Sequence, residues 1–205
     1  MFVCMLYCGS LYHMQVWKVA VSAIAVTFAG VTGAYLMGLL ESGSWGGRSY
    51  FGAVFLVPVI MWLVAKALKL PYGQLLDICA PAGCIMLAVL KIKCRIDGCC
   101  GGRFFPLKNG ELIRFPSQIV ESVVGLLLAL ILILINKKGT QQGRIYALYL
   151  IFYGIVRFVL SFLRYPHPWI GVFPAGAFWS LIAIALGILT LLVNSRRKKG
   201  GDAYG

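Results

Sequence analysis

The sequence predicts an all-α bundle of about six transmembrane helices. Three observations carry that reading. Hydrophobic residues make up 60% of the 205 positions, and the mean hydropathy is +0.88, both beyond the range of a soluble domain of this length. Several runs reach the ~20 apolar residues needed to cross a bilayer. No long polar linker and no internal repeat divides the chain, so residues 1–205 read as a single transmembrane domain.

The spans follow in order. Met1 to Leu11 is apolar but too short to cross; it either extends the first helix or lies at the interface. The first span is Val16 to Leu40 and the second Phe51 to Leu68. The third, Leu75 to Leu90, is short, and Asp77 near its start reads as a helix cap. The fourth, Ile119 to Ile135, follows Pro116, a residue tolerated where a helix begins. The fifth is Ile145 to Leu163 and the sixth Phe173 to Val193.

Basic residues set the expected orientation. The tail, residues 195–205 with "RRKK" at Arg196 to Lys199, is expected in the cytoplasm. Six spans then put the N-terminus inside, together with the loops holding Lys66 and Lys69, and Lys137, Lys138 and Arg144. The loop 91–116 falls outside. Its Lys91, Lys93, Arg95, Arg103, Lys108 and Arg114 face only Asp97 and Glu111, six cations against two carboxylates and a net +4. Such charge on the outer side opposes the positive-inside tendency, so it is expected to bind something there, and a phosphate at headgroup level fits. The run "GCCGGR" adds Gly98, Gly101 and Gly102, which let backbone approach an anion closely.

The net charge of +13 has no nucleic-acid motif beside it, so anionic lipid rather than nucleic acid is the expected partner. The cysteines are Cys4, Cys8, Cys79, Cys84, Cys94, Cys99 and Cys100, an odd number that suggests no disulfide framework. The two histidines, His13 and His167, are far apart, and Cys94, Cys99 and Cys100 lack the x2 spacing of a zinc knuckle. No metal and no cofactor is therefore assigned. Cys99 and Cys100 read either as thiolates favoured by nearby Lys and Arg or as small, near-apolar filler in a tight turn.

Ionisable groups inside the spans are the stronger signal, since each costs ~2.5–3.5 kcal/mol at mid-bilayer on insertion scales. In "YGIVRFVLSFLR", Tyr153, Arg157, Ser161 and Arg164 share one helical face. Arg164 can snorkel to the interface; Arg157, about 10 Å deeper at 1.5 Å per residue, needs a partner or a bound anion. Gln118 and Glu121 in "FPSQIVES" share a face of the preceding span. A Glu121–Arg157 pair across the bundle is expected, either as glue between helices or as part of a site.

Three segments, in order, resemble the bacterial prolipoprotein diacylglyceryl transferase family, over roughly Gly46 to Val193. "LLDICAPAGCIMLAVLKIKCRIDGCCGGR" is similar to that family's Asp-x-x-Ala-Pro helix and its signature loop. "FPSQIVES" resembles its His-Pro-Ser/Thr-Gln-x-Tyr-Glu segment, and "GRIYALYLIFYGIVRFVLSFLR" its Tyr-Gly-x-x-Arg-Phe-x-x-Glu-x-x-Arg helix. The resemblance implies transfer of a diacylglyceryl group from phosphatidylglycerol to the lipobox cysteine of a prolipoprotein signal peptide, at the outer face of the bacterial cytoplasmic membrane. It implies catalytic roles for Arg157, Tyr153 and Glu121. It implies substrate binding by Lys91, Gly98, Gly102, Arg103, Gln118 and Arg164, with Lys91 standing where the family has its signature arginine. Cys94, Gly154 and Phe158 match further motif positions. The chain departs from the pattern at Phe51, where "GGRSYFGA" puts phenylalanine in place of the family's histidine, to which the resemblance assigns the role of base. Phe115 replaces the histidine before Pro-Ser-Gln, and Ser161 the glutamate after the arginine. The competing expectation is a protein that binds anionic phospholipid without catalysis.

Overall fold

The structure, a computed structural model, describes residues 1–43, 49–106, 111–164 and 169–201. The elements are α1 (Phe2–Leu11), α2 (Val16–Ser42), α3 (Tyr50–Leu68), α4 (Tyr72–Ile96), β1 (Phe104–Pro106), β2 (Leu112–Arg114), α5 (Ser117–Lys137), α6 (Arg144–Leu163), β3 (Trp169–Ile170), β4 (Phe173–Pro174) and α7 (Ala175–Gly201). Helices α2 to α7 are each long and apolar enough to cross a membrane, as the sequence predicts, which makes this a multi-pass membrane protein.

Local chemistry sets the helix ends. Gly43 ends α2 at φ 65° and returns its N–H to the Leu39 carbonyl at 2.8 Å, the left-handed cap that glycine takes without a Cβ penalty. Lys69 takes the same conformation at φ 50° to end α3 just before Pro71, where α4 is capped. Helix α1 neither extends α2 nor stays outside the bundle. A turn through His13 at φ 53° breaks the chain, and α1 folds back so that Met5 and Cys8 are wholly buried in the core.

The helices pair as α2 with α3, α4 with α5 and α6 with α7, and α4 lies among them in the middle. Of the most apolar stretch of α4, 67% is buried, against 22% for α7. The outer helices turn Ile24, Phe28, Leu127 and Leu189 outward, where lipid would meet them. Helices α2 and α3 cross at Gly33 and Gly52; a Cβ on either would run into the other's backbone carbonyl. Without water to drive association, such close backbone contact is what holds helices together.

Two antiparallel hairpins, missed by a purely helical reading, close one end. β1 pairs with β2 through Phe104–Arg114 and Pro106–Leu112, and β3 pairs with β4. An isolated bridge joins Gly102 to Arg164, and the Arg103 N–H bonds the Leu163 carbonyl at 2.9 Å. The first hairpin is thus stitched to the end of α6.

Asp77 does not cap its own helix. Its wholly buried carboxylate accepts the N–H of Gly143 at 2.7 Å and of Tyr146 at 2.9 Å, closing the N-terminus of α6. The Tyr12 hydroxyl donates to Asn136 Oδ1 at 2.6 Å and lies 3.5 Å from Asp77. Burial and the nearby Asp77 charge push the Tyr12 phenol up, so it stays protonated as a donor.

Candidate active site

Three helices converge on one carboxylate. Glu121 sits just over one turn into α5 and is 4% exposed. Arg157 of α6 donates from Nη1 to its Oε1 at 2.8 Å. Lys91 of α4 places Nζ 2.8 Å from its Oε2, and Arg164 brings Nη1 to 3.7 Å from Oε1. The expected Glu121–Arg157 pair is therefore present, and two further cations join it. None of the four side chains is more than 12% exposed.

Two positions differ from expectation. Helix α4 continues to Ile96, beyond the expected end at Leu90, so Lys91 lies inside a span rather than in the loop 91–116. Lysine so placed reaches the α5 carboxylate directly. Arg164, expected to snorkel, leaves α6 in an extended conformation and turns inward.

Three cations on one carboxylate leave two positive charges in excess. Glu41, at the end of α2, also lies within electrostatic reach of Arg157 and Arg164 and accepts the Ser49 hydroxyl at 2.9 Å. With Glu41 counted, the site still keeps one positive charge. Both guanidinium Nε groups, Arg157 and Arg164, are buried without a hydrogen-bond partner among the described residues. Buried donors with surplus positive charge are the equipment of an anion site.

Tyr153 projects from α6 beside this cluster. Its hydroxyl is likewise buried and unpartnered among the described residues. The ring is fixed on three sides, 5.3 Å from Tyr50, 5.7 Å from Tyr149 and 5.7 Å from Phe51. Phe51, where the resemblance implies a histidine, therefore faces the site. Tyr149 donates to the Tyr50 hydroxyl at 3.3 Å, and Tyr50 donates to the Gly83 carbonyl at 2.8 Å. Between Glu121, Tyr153 and Arg157, walled by Leu87, Gly125 and Leu160, lies a cavity of about 10 Å³, the space of one water.

The remaining predicted residues shape the loop. Gln118 spends its side-chain N–H on the Cys99 carbonyl at 2.6 Å. Gly98 takes φ +69°, a turn conformation that favours glycine. Gly102 is packed so tightly that a Cβ would meet the Phe115 carbonyl oxygen at 2.5 Å. The Arg103 side chain is exposed, and its backbone carbonyl accepts the Phe115 N–H at 2.9 Å. Ser161, in place of the family's glutamate, bonds the Arg157 carbonyl at 2.6 Å. His167 lies outside the described residues.

The thiol of Cys100 lies at the edge of this field. Burial raises its pKa, but Arg164 and Lys91 outweigh that and bring it below the ordinary range. Glu41 and the tyrosine wall are the site features that the motif reading missed. Tyr146, Tyr149 and Tyr153 at steps of three and four, inside an apolar span, were the available signal.

The family model described as prolipoprotein diacylglyceryl transferase matches residues 2–193. A phosphatidylglycerol–prolipoprotein diacylglyceryl transferase from Geobacter sulfurreducens is 32% identical over 168 residues, 76% of this chain and 64% of that protein. The protein of the same name from Clostridium tetani is 27% identical over 161 residues, 73% of this chain and 65% of its own length. That from Chlorobaculum tepidum is 30% identical over 169 residues, covering 76% and 58%. This chain thus spans less than two thirds of the length of these relatives. With a match across nearly its whole length, the chain belongs to the prolipoprotein diacylglyceryl transferase family.

Proposed function

We propose that this protein transfers the diacylglyceryl group of phosphatidylglycerol to the lipobox cysteine of a prolipoprotein signal peptide, at the outer face of the bacterial cytoplasmic membrane. The observation that carries the reading is the buried cluster of Lys91, Arg157 and Arg164 on Glu121, with surplus positive charge and guanidinium Nε–H groups that have no partner among the described residues. The relatives that share the family are named for this reaction.

In the transfer, the acceptor cysteine reacts as its thiolate, its proton having passed to water, and the sulfur bonds to the glyceryl carbon next to the phosphate ester oxygen. The C–O bond breaks, and its electron pair leaves with glycerol phosphate, which gains a negative charge. Arg157, Lys91 and Arg164 are placed to meet that charge, and preorganised donors of this kind are worth about 10²–10³-fold in rate each. Glu121 keeps the three cations together before the lipid arrives. The Tyr153 hydroxyl supplies one further donor to the phosphate. Gly98, Gly102, Arg103 and Gln118 act by shaping the hairpin mouth through which the headgroup enters. The loop that follows α4, from Asp97 to Pro116, faces outward in this scheme, and the tail 195–205 faces the cytoplasm.

The test is mass spectrometry of a synthetic lipobox peptide incubated with the purified protein and phosphatidylglycerol vesicles. The peptide is expected to gain one diacylglyceryl group on its cysteine, and none with phosphatidylcholine alone. An unmodified peptide with a folded, lipid-bound protein overturns the transferase reading.

A further inference from the structure

Cys94, Cys99 and Cys100 are separated in sequence as Cys-x4-Cys-Cys, a spacing that suggests no metal site. The fold removes that objection. The three sulfurs all lie within 4.8 Å of one another. Tetrahedral zinc with Zn–S bonds of ~2.3 Å holds its sulfurs about 3.8 Å apart, so small side-chain rotations would close the set. We propose that these cysteines form a three-thiolate site for a thiophilic d10 metal ion, zinc above all, with a fourth coordination position left open.

The backbone around the thiols is built to converge them. Cys94 sits in the last turns of α4, and the Cys99 N–H bonds back to the Cys94 carbonyl at 3.1 Å. Two left-handed residues, Gly98 at φ +69° and Cys100 at φ +58°, fold the loop over. A cysteine in that region is strained, and such strain persists only where surrounding structure holds it. Helix α5 does the holding. Buried Gln118 donates to the Cys99 carbonyl at 2.6 Å, and buried Ser117 donates to the Cys100 carbonyl at 2.9 Å. Two side chains are thus devoted to placing consecutive cysteine carbonyls, which orients both thiols toward Cys94.

Ligand chemistry narrows the ion. Three sulfurs without an oxygen ligand favour zinc or cuprous ion and disfavour magnesium and calcium. As a divalent ion binds, the three thiols release three protons to solvent and the complex carries one negative charge. Lys91, one turn before Cys94 on α4, and Arg164 stand beside it, so the surplus positive charge of the neighbouring cluster complements the complex. Among the described residues no fourth histidine, cysteine or carboxylate joins the group. Three protein ligands and one open position are the pattern of sites that accept an exogenous ligand.

The full chain, purified reduced and metal-free in lipid nanodiscs, tests this by titration with Co²⁺ and then Zn²⁺. One Co²⁺ per chain is expected, with a sulfur-to-cobalt charge-transfer band that Zn²⁺ abolishes. Cys94→Ser, Cys99→Ser and Cys100→Ser should each weaken binding at least tenfold, whereas Cys84→Ala should not. Alkylation of exposed Cys99 in the wild-type protein should block the band without any mutation. Elemental analysis of protein taken directly from cells distinguishes zinc from copper. Sub-stoichiometric Co²⁺ binding by the wild-type chain, or a band that survives the triple serine variant, overturns the proposal. None of these readouts depends on transfer activity.

Discussion

Asp77 and Glu121 are both buried carboxylates in the middle of an apolar bundle, and they solve the problem of burial in opposite ways. Asp77 is satisfied by two backbone N–H groups of the α6 N-terminus and stands beside a tyrosine hydroxyl. No cation is needed, and the arrangement ties α4 to α6 and, through Tyr12 and Asn136, to α5. Glu121, at the other end of α4 and about 20 Å away along it at 1.5 Å per residue, collects Lys91, Arg157 and Arg164. Glu121 instead gathers three cations, and two of them, Arg157 and Arg164, keep buried Nε–H groups without a partner among the described residues.

The sharpest break in that comparison comes from neutralising each carboxylate in turn. Glu121→Gln removes the carboxylate on which three buried cations converge, and the expected loss is ~3–5 kcal/mol of stability. Thermal unfolding in nanodiscs should show it, and phosphatidylglycerol should restore more of the loss than phosphatidylcholine does. Asp77→Asn keeps the shape and one acceptor oxygen, so about 1–3 kcal/mol is expected from the orphaned N–H. Here no lipid headgroup should rescue the loss, and transfer per folded molecule should stay at the wild-type level. Tyr153→Phe is the smallest change. Its hydroxyl has no partner among the described residues, so stability should move by less than ~1 kcal/mol. Peptide transfer should nevertheless fall about tenfold or more under the proposed donation of this hydroxyl to the lipid phosphate.

The spans were legible because hydropathy and length act locally, one helix at a time. The face shared by Tyr153, Arg157 and Arg164 was legible for the same reason. The Glu121–Arg157 pair followed from the cost of burying either charge alone. What the sequence hid depends on distance along the chain. Lys91 joins the site only because α4 runs on past Leu90, and Arg164 only because α6 releases it inward. Asp77 caps a helix 66 residues away, a partner that no local pattern announces. Tyr50 reaches the site through the contacts of α3 with α4 and α6, and Glu41 through its bond to Ser49 at the start of α3. The family motifs located the hairpin glycines, but the structure assigns Gly102 to close packing against Phe115 rather than to open space for a ligand.

The central claim is that the cation cluster on Glu121 receives the lipid phosphate and its departing charge. Measuring diacylglyceryl transfer to a lipobox peptide by wild-type protein and Arg157→Ala, at equal folded concentration in phosphatidylglycerol nanodiscs, tests it most directly. The account predicts transfer by the wild-type chain and a loss of at least ~100-fold in the variant, while Asp77→Asn transfers normally. Undiminished transfer by a folded Arg157→Ala protein would contradict it.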